Sequence, residues 1–173
     1  VVDGCGVCGG DGSSCIVTDI EGNTYATVQI GEQLWMAENL KATKFKDGSA
    51  IPTGHTDSEW AGLSTGSYAI YPEDYDEASI ATCEGDCSYI YGNLYNGYAI
   101  NDERGVCMEG WHIPTHYEWT TLERFICSEL GGHPNCDEEF PYDYSTYGWQ
   151  GTDEGGMMKS TGTDEDGDGL WYA

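Results

Sequence analysis

Positive charge is what this sequence has least of. Six Lys and Arg residues stand against 31 Asp and Glu in 173 residues, a formal net charge of -25. Phosphate contacts need Lys and Arg, so nucleic acid is not an expected partner, and neither is an anionic membrane surface. Copies of such a chain repel one another unless cations screen or bridge their carboxylates, which makes a divalent cation an early expectation beside plain solubility in salty surroundings. No run is long and apolar enough to span a membrane. Gly-x-Ser-x-Gly, His-Glu-x-x-His and phosphate-loop motifs are all missing. Carboxylates are so plentiful that no pair stands out as a glycosidase pair. Only "CGVC" has zinc-knuckle spacing, where a zinc site would want paired knuckles. A signal peptide and an initiator Met are also missing, so the chain, starting at Val1, reads as an internal or processed piece of a secreted protein.

What is present argues for a folded domain. Thirteen Tyr, six Trp and three Phe are too many for a solvated coil. Twenty-five Gly and five Pro punctuate often, which suits short strands and long loops. Eight Cys in a chain this size point to disulfides and an oxidising, extracellular or cell-surface location. The length allows one domain with a real core and a small appendage.

The appendage is residues 1–15, "VVDGCGVCGGDGSSC", which has almost nothing to bury and can hold shape only through cross-links or metal. Its three cysteines, Cys5, Cys8 and Cys15, are odd in number, so at least one bonds elsewhere. Beyond it, Ala26, Val28 and Ile30 alternate with Tyr25, Thr27 and Gln29, the pattern of a half-buried strand, with turn signals "EGN" before and "GE" after that predict a hairpin or meander. "KDGSAIP" is a further turn. Tyr91, Leu94, Tyr95, Tyr98 and Ala99 lie at helical spacing and predict a helix whose aromatic stripe packs in the core, although Gly92 and Gly97 weaken it. The strongest helix signal is "THYEWTTLERFICSELGG": Thr115 and Glu118 form a capping box, Trp119, Leu122, Ile126 and Leu130 share a face, and Gly131-Gly132 stop it. Cys127 falls in its last turn and the Gly pair lets the chain double back, so a Cys127–Cys136 disulfide is expected. Cys83 and Cys87, bracketing the tight "EGD", are a second expected pair.

"GVCMEGWHIPTHYEW", residues 105–119, is the densest chemistry in the chain. His112 and His116 are four apart, but Pro114 between them keeps them off a shared helical turn, so zinc is not expected. Cys107 has His112 near it in sequence only, whereas nucleophile and base must meet in space. Scaffold is the better reading, with Trp111 and Trp119 in the core and Pro114-Thr115 setting the helix entry. "DEDGDGLW" has firmer content. Asp164, Asp166 and Asp168 occupy positions 1, 3 and 5 of an EF-hand-type loop, Gly169 gives the sharp turn, and the Leu170 carbonyl sits at position 7. Calcium is the expected ion there, against the alternative of a solvated acidic loop. Asp3 and Asp11 are weaker candidates.

Three blocks carry a resemblance. "TDIEGNTYATVQIGEQLWMAENLKATKFKDGSAIP", "YGNLYNGYAIND" and "CMEGWHIPTHYEWTTLERFI" resemble the Fibrobacter succinogenes major paralogous domain, found in secreted and surface proteins of Bacteroidetes-like bacteria. The first fifteen residues resemble cysteine repeats of bacterial surface proteins and of some secreted metalloproteases. The resemblance implies an α+β, C-type-lectin-like fold, shared with formylglycine-generating enzymes, whose helix start is similar to Trp111–Trp119: short strands, one or two helices, long loops and disulfides. It runs from about Thr18 to Leu130 and more weakly on to Trp171, so residues 16–173 are expected to be the N-terminal part of that domain. The chain departs from the pattern in an acidic, Cys-containing insert, "YPEDYDEASIATCEGDCSYI", and in lacking the Gly-rich aromatic second half, so the domain is expected to be truncated there. The relatives' catalytic cysteines belong to that missing part, so their activity does not carry over. The resemblance also implies that Cys107 bonds to a final Arg-Cys absent here, so its expected partner is a segment beyond Ala173 or another chain, with Cys5, Cys8 or Cys15 as the alternative.

Together these readings predict a non-enzymatic extracellular bacterial protein with a structural or adhesive role, an incomplete sheet inviting a neighbour's strand into a fibre. Its partners are expected to be its own copies or other surface proteins. The rival is a carbohydrate-binding module with glycan partners, resting on fold analogy and exposed aromatics.

Overall fold

The computed structural model describes residues 16–71, 87–130, 132 and 134–142. The chain divides into two compact units: one comprises the residues up to Gln29 with Leu34–Ile113, the other Ile30–Gln33 with the residues from Pro114 onward.

The first unit begins with an antiparallel meander, the arrangement its turn signals predict. β1 (Ile16–Thr18), β2 (Thr24–Ile30) and β3 (Gln33–Met36) pair in that order, with Ile16 opposite Ala26 and Thr18 opposite Thr24. The β1–β2 turn is organised by Asp19. Its carboxylate accepts from the backbone N–H groups of Glu21 and Asn23, both at 2.9 Å, from Asn23 Nδ2 and from the Tyr25 hydroxyl, both at 2.8 Å. Burial pushes the Asp19 pKa up, but the hydrogen bonds from Asn23, Tyr25 and Glu21 outweigh it and hold the carboxyl below its ordinary value. Burial, then the bond to Asp19, raises the Tyr25 phenol in turn. This explains which side of β2 faces inward. Tyr25 is fully buried, whereas Ala26 and Val28 are exposed, so the inward residue is the one whose hydroxyl finds a buried acceptor.

Glu21 fastens the same turn to the following segment, accepting from Thr43 N–H and Oγ1 at 2.6 Å each. The "KDGSAIP" turn forms as expected, with Gly48 at φ 84° donating to the Phe45 carbonyl. The core of the unit is Phe45, Ile51, Tyr68, Ala99 and Val106, with Leu40, Ile70, Tyr95 and Cys107 packed against it. α1 (Asp57–Ala61) starts at Thr56, which forms a capping box with Glu59. β4 (Tyr68–Ile70) pairs antiparallel with β5 (Asn93–Tyr95), Ala69 facing Leu94.

The helix predicted through residues 91–99 is instead three pieces: α2 (Cys87–Tyr91), β5, and α3 (Gly97–Ile100). The reason is local. Gly92 sits at φ 68°, and a Cβ there would lie 2.6 Å from Asn39 and 2.7 Å from the Leu40 carbonyl, so the backbone turns where no side chain fits. Asn96 then caps α3, its side chain accepting from Ala99 N–H at 2.9 Å. The expected core stripe splits accordingly: Ala99 is buried, while Leu94 and Tyr98 are exposed.

In the second unit the capping box opens the helix where it was expected. Thr115 accepts from Glu118 N–H, and Glu118 Oε2 accepts from Thr115 N–H at 2.8 Å. α4 runs over His116–Phe125 and continues as a π-helical turn, Ile126–Leu130, so Cys127 lies in that wider turn and not in the α-helix itself. Leu122 and Ile126 face inward, but Trp119 is exposed and Trp111 is only half-buried, a correction to their expected place in the core. At the β2–β3 turn, Gly31 has φ 59° and a Cβ there would lie 2.9 Å from the Phe125 ring. Cys127 and Cys136 are joined by a disulfide with Cα atoms 5.8 Å apart, and Phe140 is buried with them. Cys136 opens the short α5 (Cys136–Glu139).

The outcome is α+β, short antiparallel strands with several short helices where one or two were expected, and a disulfide. Among the described residues no helix is long and apolar enough to cross a membrane.

Candidate functional site

The segment 105–119 shows what its chemistry-bearing side chains do. Gly105, at φ 68°, lies under the Lys46 side chain, and Val106 and Met108 are buried. Between them Cys107 carries a free thiol, half-buried against the first unit's core. Burial pushes its pKa up and the nearby Lys46 ammonium only partly offsets this. Such a thiol stays protonated at neutral pH and is a weak nucleophile. His112 is exposed and ends in the first unit, while His116 is half-buried in the first turn of α4 in the second. Glu118, two residues after His116, is held by the cap.

One pairing was not visible in the sequence. Ser67 Oγ lies 3.3 Å from His55 Nε2, the geometry of a nucleophile and its base. The two are twelve residues apart, with no motif around either. Ser67, however, is fully buried, its N–H donating to Asn96 Oδ1 at 3.1 Å and its carbonyl accepting from Asn96 N–H at 3.0 Å. A hydroxyl that no substrate can touch does not attack, and the Ser67 backbone fastens the start of β4 to Asn96 at the end of β5.

A second arrangement lies on the surface of α4. Tyr117, Thr121 and Arg124 follow one another along one helix face, and Tyr142 packs on them. The rings of Tyr117 and Tyr142 are stacked, centroids 4.5 Å apart at 18°, and the Arg124 guanidinium lies 4.0 Å from the Tyr142 centroid. Arg124 is itself fixed: Nε donates to the Phe140 carbonyl at 2.6 Å, one terminal nitrogen to the Asp137 carbonyl at 3.0 Å, the other to the Asp137 carboxylate at 2.9 Å. The guanidinium thus ties residues 137–142 to the helix through backbone acceptors that α5 leaves open. Tyr117 is 62% exposed, so the ring face away from Tyr142 is open.

Asp164, Asp166, Asp168 and Leu170 lie outside the described residues, as do Asp3, Asp11, Cys5, Cys8, Cys15 and Cys83. Cys87 is disulfide-bonded, and the expected pairing with Cys83 falls outside that description. Among the described residues no three His, Cys, Asp or Glu side chains gather as a metal ion would require.

Comparison with known proteins gives one match: the model of the Fibrobacter succinogenes major domain family matches residues 28–170. No curated protein and no solved structure matches the chain.

Proposed function

We propose, for a chain that belongs to the Fibrobacter succinogenes major domain family, a non-enzymatic structural or adhesive role on the outside of a bacterial cell. The observation that carries this reading is the buried Cys127–Cys136 bond, which packs with Phe140 in the second unit. A buried disulfide suits an oxidising compartment, where the bond persists without active upkeep. The reading is supported too by the protonated, half-buried state of Cys107 and by the capping role of Glu118, which give the segment 105–119 an architectural use.

The same proposal includes a C-type-lectin-like fold of the kind found in formylglycine-generating enzymes, and a cysteine-rich surface-protein repeat at residues 1–15. It includes calcium at Asp164, Asp166, Asp168 and the Leu170 carbonyl, the alternating carboxylates being suited to a hard cation. With a formal charge of -25, close packing of copies into a fibre or surface layer needs such cations between them. Cys107, free among the described residues, is a thiol available for a bond to another segment or partner.

A second reading, a carbohydrate-binding module, is favoured by the exposed rings of Tyr89, Tyr117 and Trp119. Electron microscopy of the purified protein, with calcium and with chelator, beside a glycan array separates the two. Ordered assemblies that need calcium support the structural role. A dispersed protein that binds defined glycans supports the second. A specific turnover lost in a His112→Gln/His116→Gln variant contradicts both.

A further inference from the structure

We propose that Tyr117 and Tyr142 form a site of oxidative cross-linking, at which a peroxidase-type oxidant joins the two rings through a carbon–carbon bond. Three tyrosine pairs are in ring contact among the described residues, and they are not equivalent. Tyr68 and Tyr95 lie 6.2 Å apart, and Tyr68 is buried beyond the reach of a diffusing oxidant. Tyr71 and Tyr91, 5.8 Å apart, meet edge to face at 89°, which directs the ring edge of one at the π face of the other. Tyr117 and Tyr142 are closer, at 4.5 Å, nearly parallel at 18°, and exposed by 62% and 38%.

The surroundings hold the pair ready. The single hydroxyl hydrogen of Thr121 goes to the Tyr117 carbonyl at 2.8 Å, so in the 3.3 Å contact with Tyr142 it is the phenol that donates and the threonine oxygen that accepts. With Arg124 against the same ring, Tyr142 is restrained by two groups on α4, the helix that carries Tyr117. The rings therefore remain together through the lifetime of a radical formed on either, and coupling within one molecule outruns coupling between molecules that repel one another by charge.

The chemistry balances as follows. Each phenol gives up one electron and its hydroxyl proton, leaving a phenoxyl radical with spin density on the ortho carbons. The two radicals combine at one ortho carbon each, forming the new bond. The hydrogen on each of those carbons is then lost as the phenol O–H is restored. Two electrons and two protons leave in total, and one hydrogen peroxide, activated by a haem peroxidase, takes them up to give two waters. The product fixes residue 142 to α4 covalently, a second lock on the segment already closed by Cys127–Cys136.

That such an oxidant meets the protein rests on the extracellular reading above; the reactivity of the pair does not. The test treats dilute, purified full chain with a haem peroxidase and hydrogen peroxide, isolates the monomer, and maps its peptides. The expected result is one cross-linked peptide pair, containing Tyr117 and Tyr142 and lighter by two hydrogens, with dityrosine fluorescence of the monomer lost in Tyr117→Phe and in Tyr142→Phe. Unchanged circular dichroism of both variants ensures that the loss is not unfolding. Monomer fluorescence that persists in both variants, or coupling found only between molecules, overturns the proposal. Coupling in the tube with no cross-link in protein recovered from its natural source would count against the extracellular reading and leave the site standing.

Discussion

In the first unit Phe45, Ile51, Tyr68, Ala99 and Val106 make a core of ordinary side chains, with a satisfied carboxylate, Asp19, organising the turn that feeds it. In the second, among the described residues, Cys127, Cys136 and Phe140 cluster, Leu122 and Ile126 are buried as well, and a guanidinium grips an open helix end. The first unit also contains a disulfide-bonded cysteine, Cys87, so a covalent bond is not peculiar to the second. Among the described residues the second unit's disulfide lies inside its apolar cluster, with Phe140 on it, whereas the first unit's cluster is built without a bonded cysteine. Each unit therefore has its own vulnerability, and perturbations should separate them.

The largest separation is expected from Phe45→Ala. The ring is fully buried and has Arg104 over its face at 3.8 Å, so the change should cost about 3–5 kcal/mol. Hydrogen exchange should show faster exchange around β4 and β5 with little change in α4. Equal effects in both units would mean that they are one cooperative structure. Next is Cys127→Ser with Cys136→Ser, expected to cost about 2–3 kcal/mol from the loop the bond closes. Here exchange should quicken in α4 and α5 and spare residues near Phe45.

The smallest effect sharpens the account of the first unit. The Asp19 carboxyl is held below its ordinary value of 3.8, so it favours the folded state above that pH. That contribution is lost as pH falls through the lower folded value. Asp19→Asn places an amide nitrogen where donors already converge, costing about 1–3 kcal/mol, and should remove this part of the acid sensitivity. Urea titrations across acidic pH would show it. A variant whose acid response matches the parent's would assign that response to other carboxylates.

How much of this was legible depended on range. The Thr115–Glu118 cap, the meander turns and the nine-residue Cys127–Cys136 spacing are local, and local chemistry leaves a signature in sequence. The stripe Tyr91–Ala99 misled because periodicity ignores what Gly92 must pack under, and that obstacle, Asn39 and Leu40, lies some fifty residues away. The inward side of β2 was obscured for a related reason: Tyr25 can be buried because its hydroxyl donates a hydrogen bond to Asp19, which no alternation of apolar residues reveals. The Tyr117–Tyr142 stack and the Ser67–His55 pair join residues with no motif between them. The family resemblance reached farther than periodicity, and the match over residues 28–170 agrees with it.

The extracellular reading turns on the oxidation state of the second unit's core. Protein released from the surface of intact cells, alkylated before any reductant is added and then mapped by mass spectrometry, tests it most directly. The account predicts a peptide pair joined through Cys127 and Cys136. Free, alkylated thiols at both positions in the native protein would contradict it.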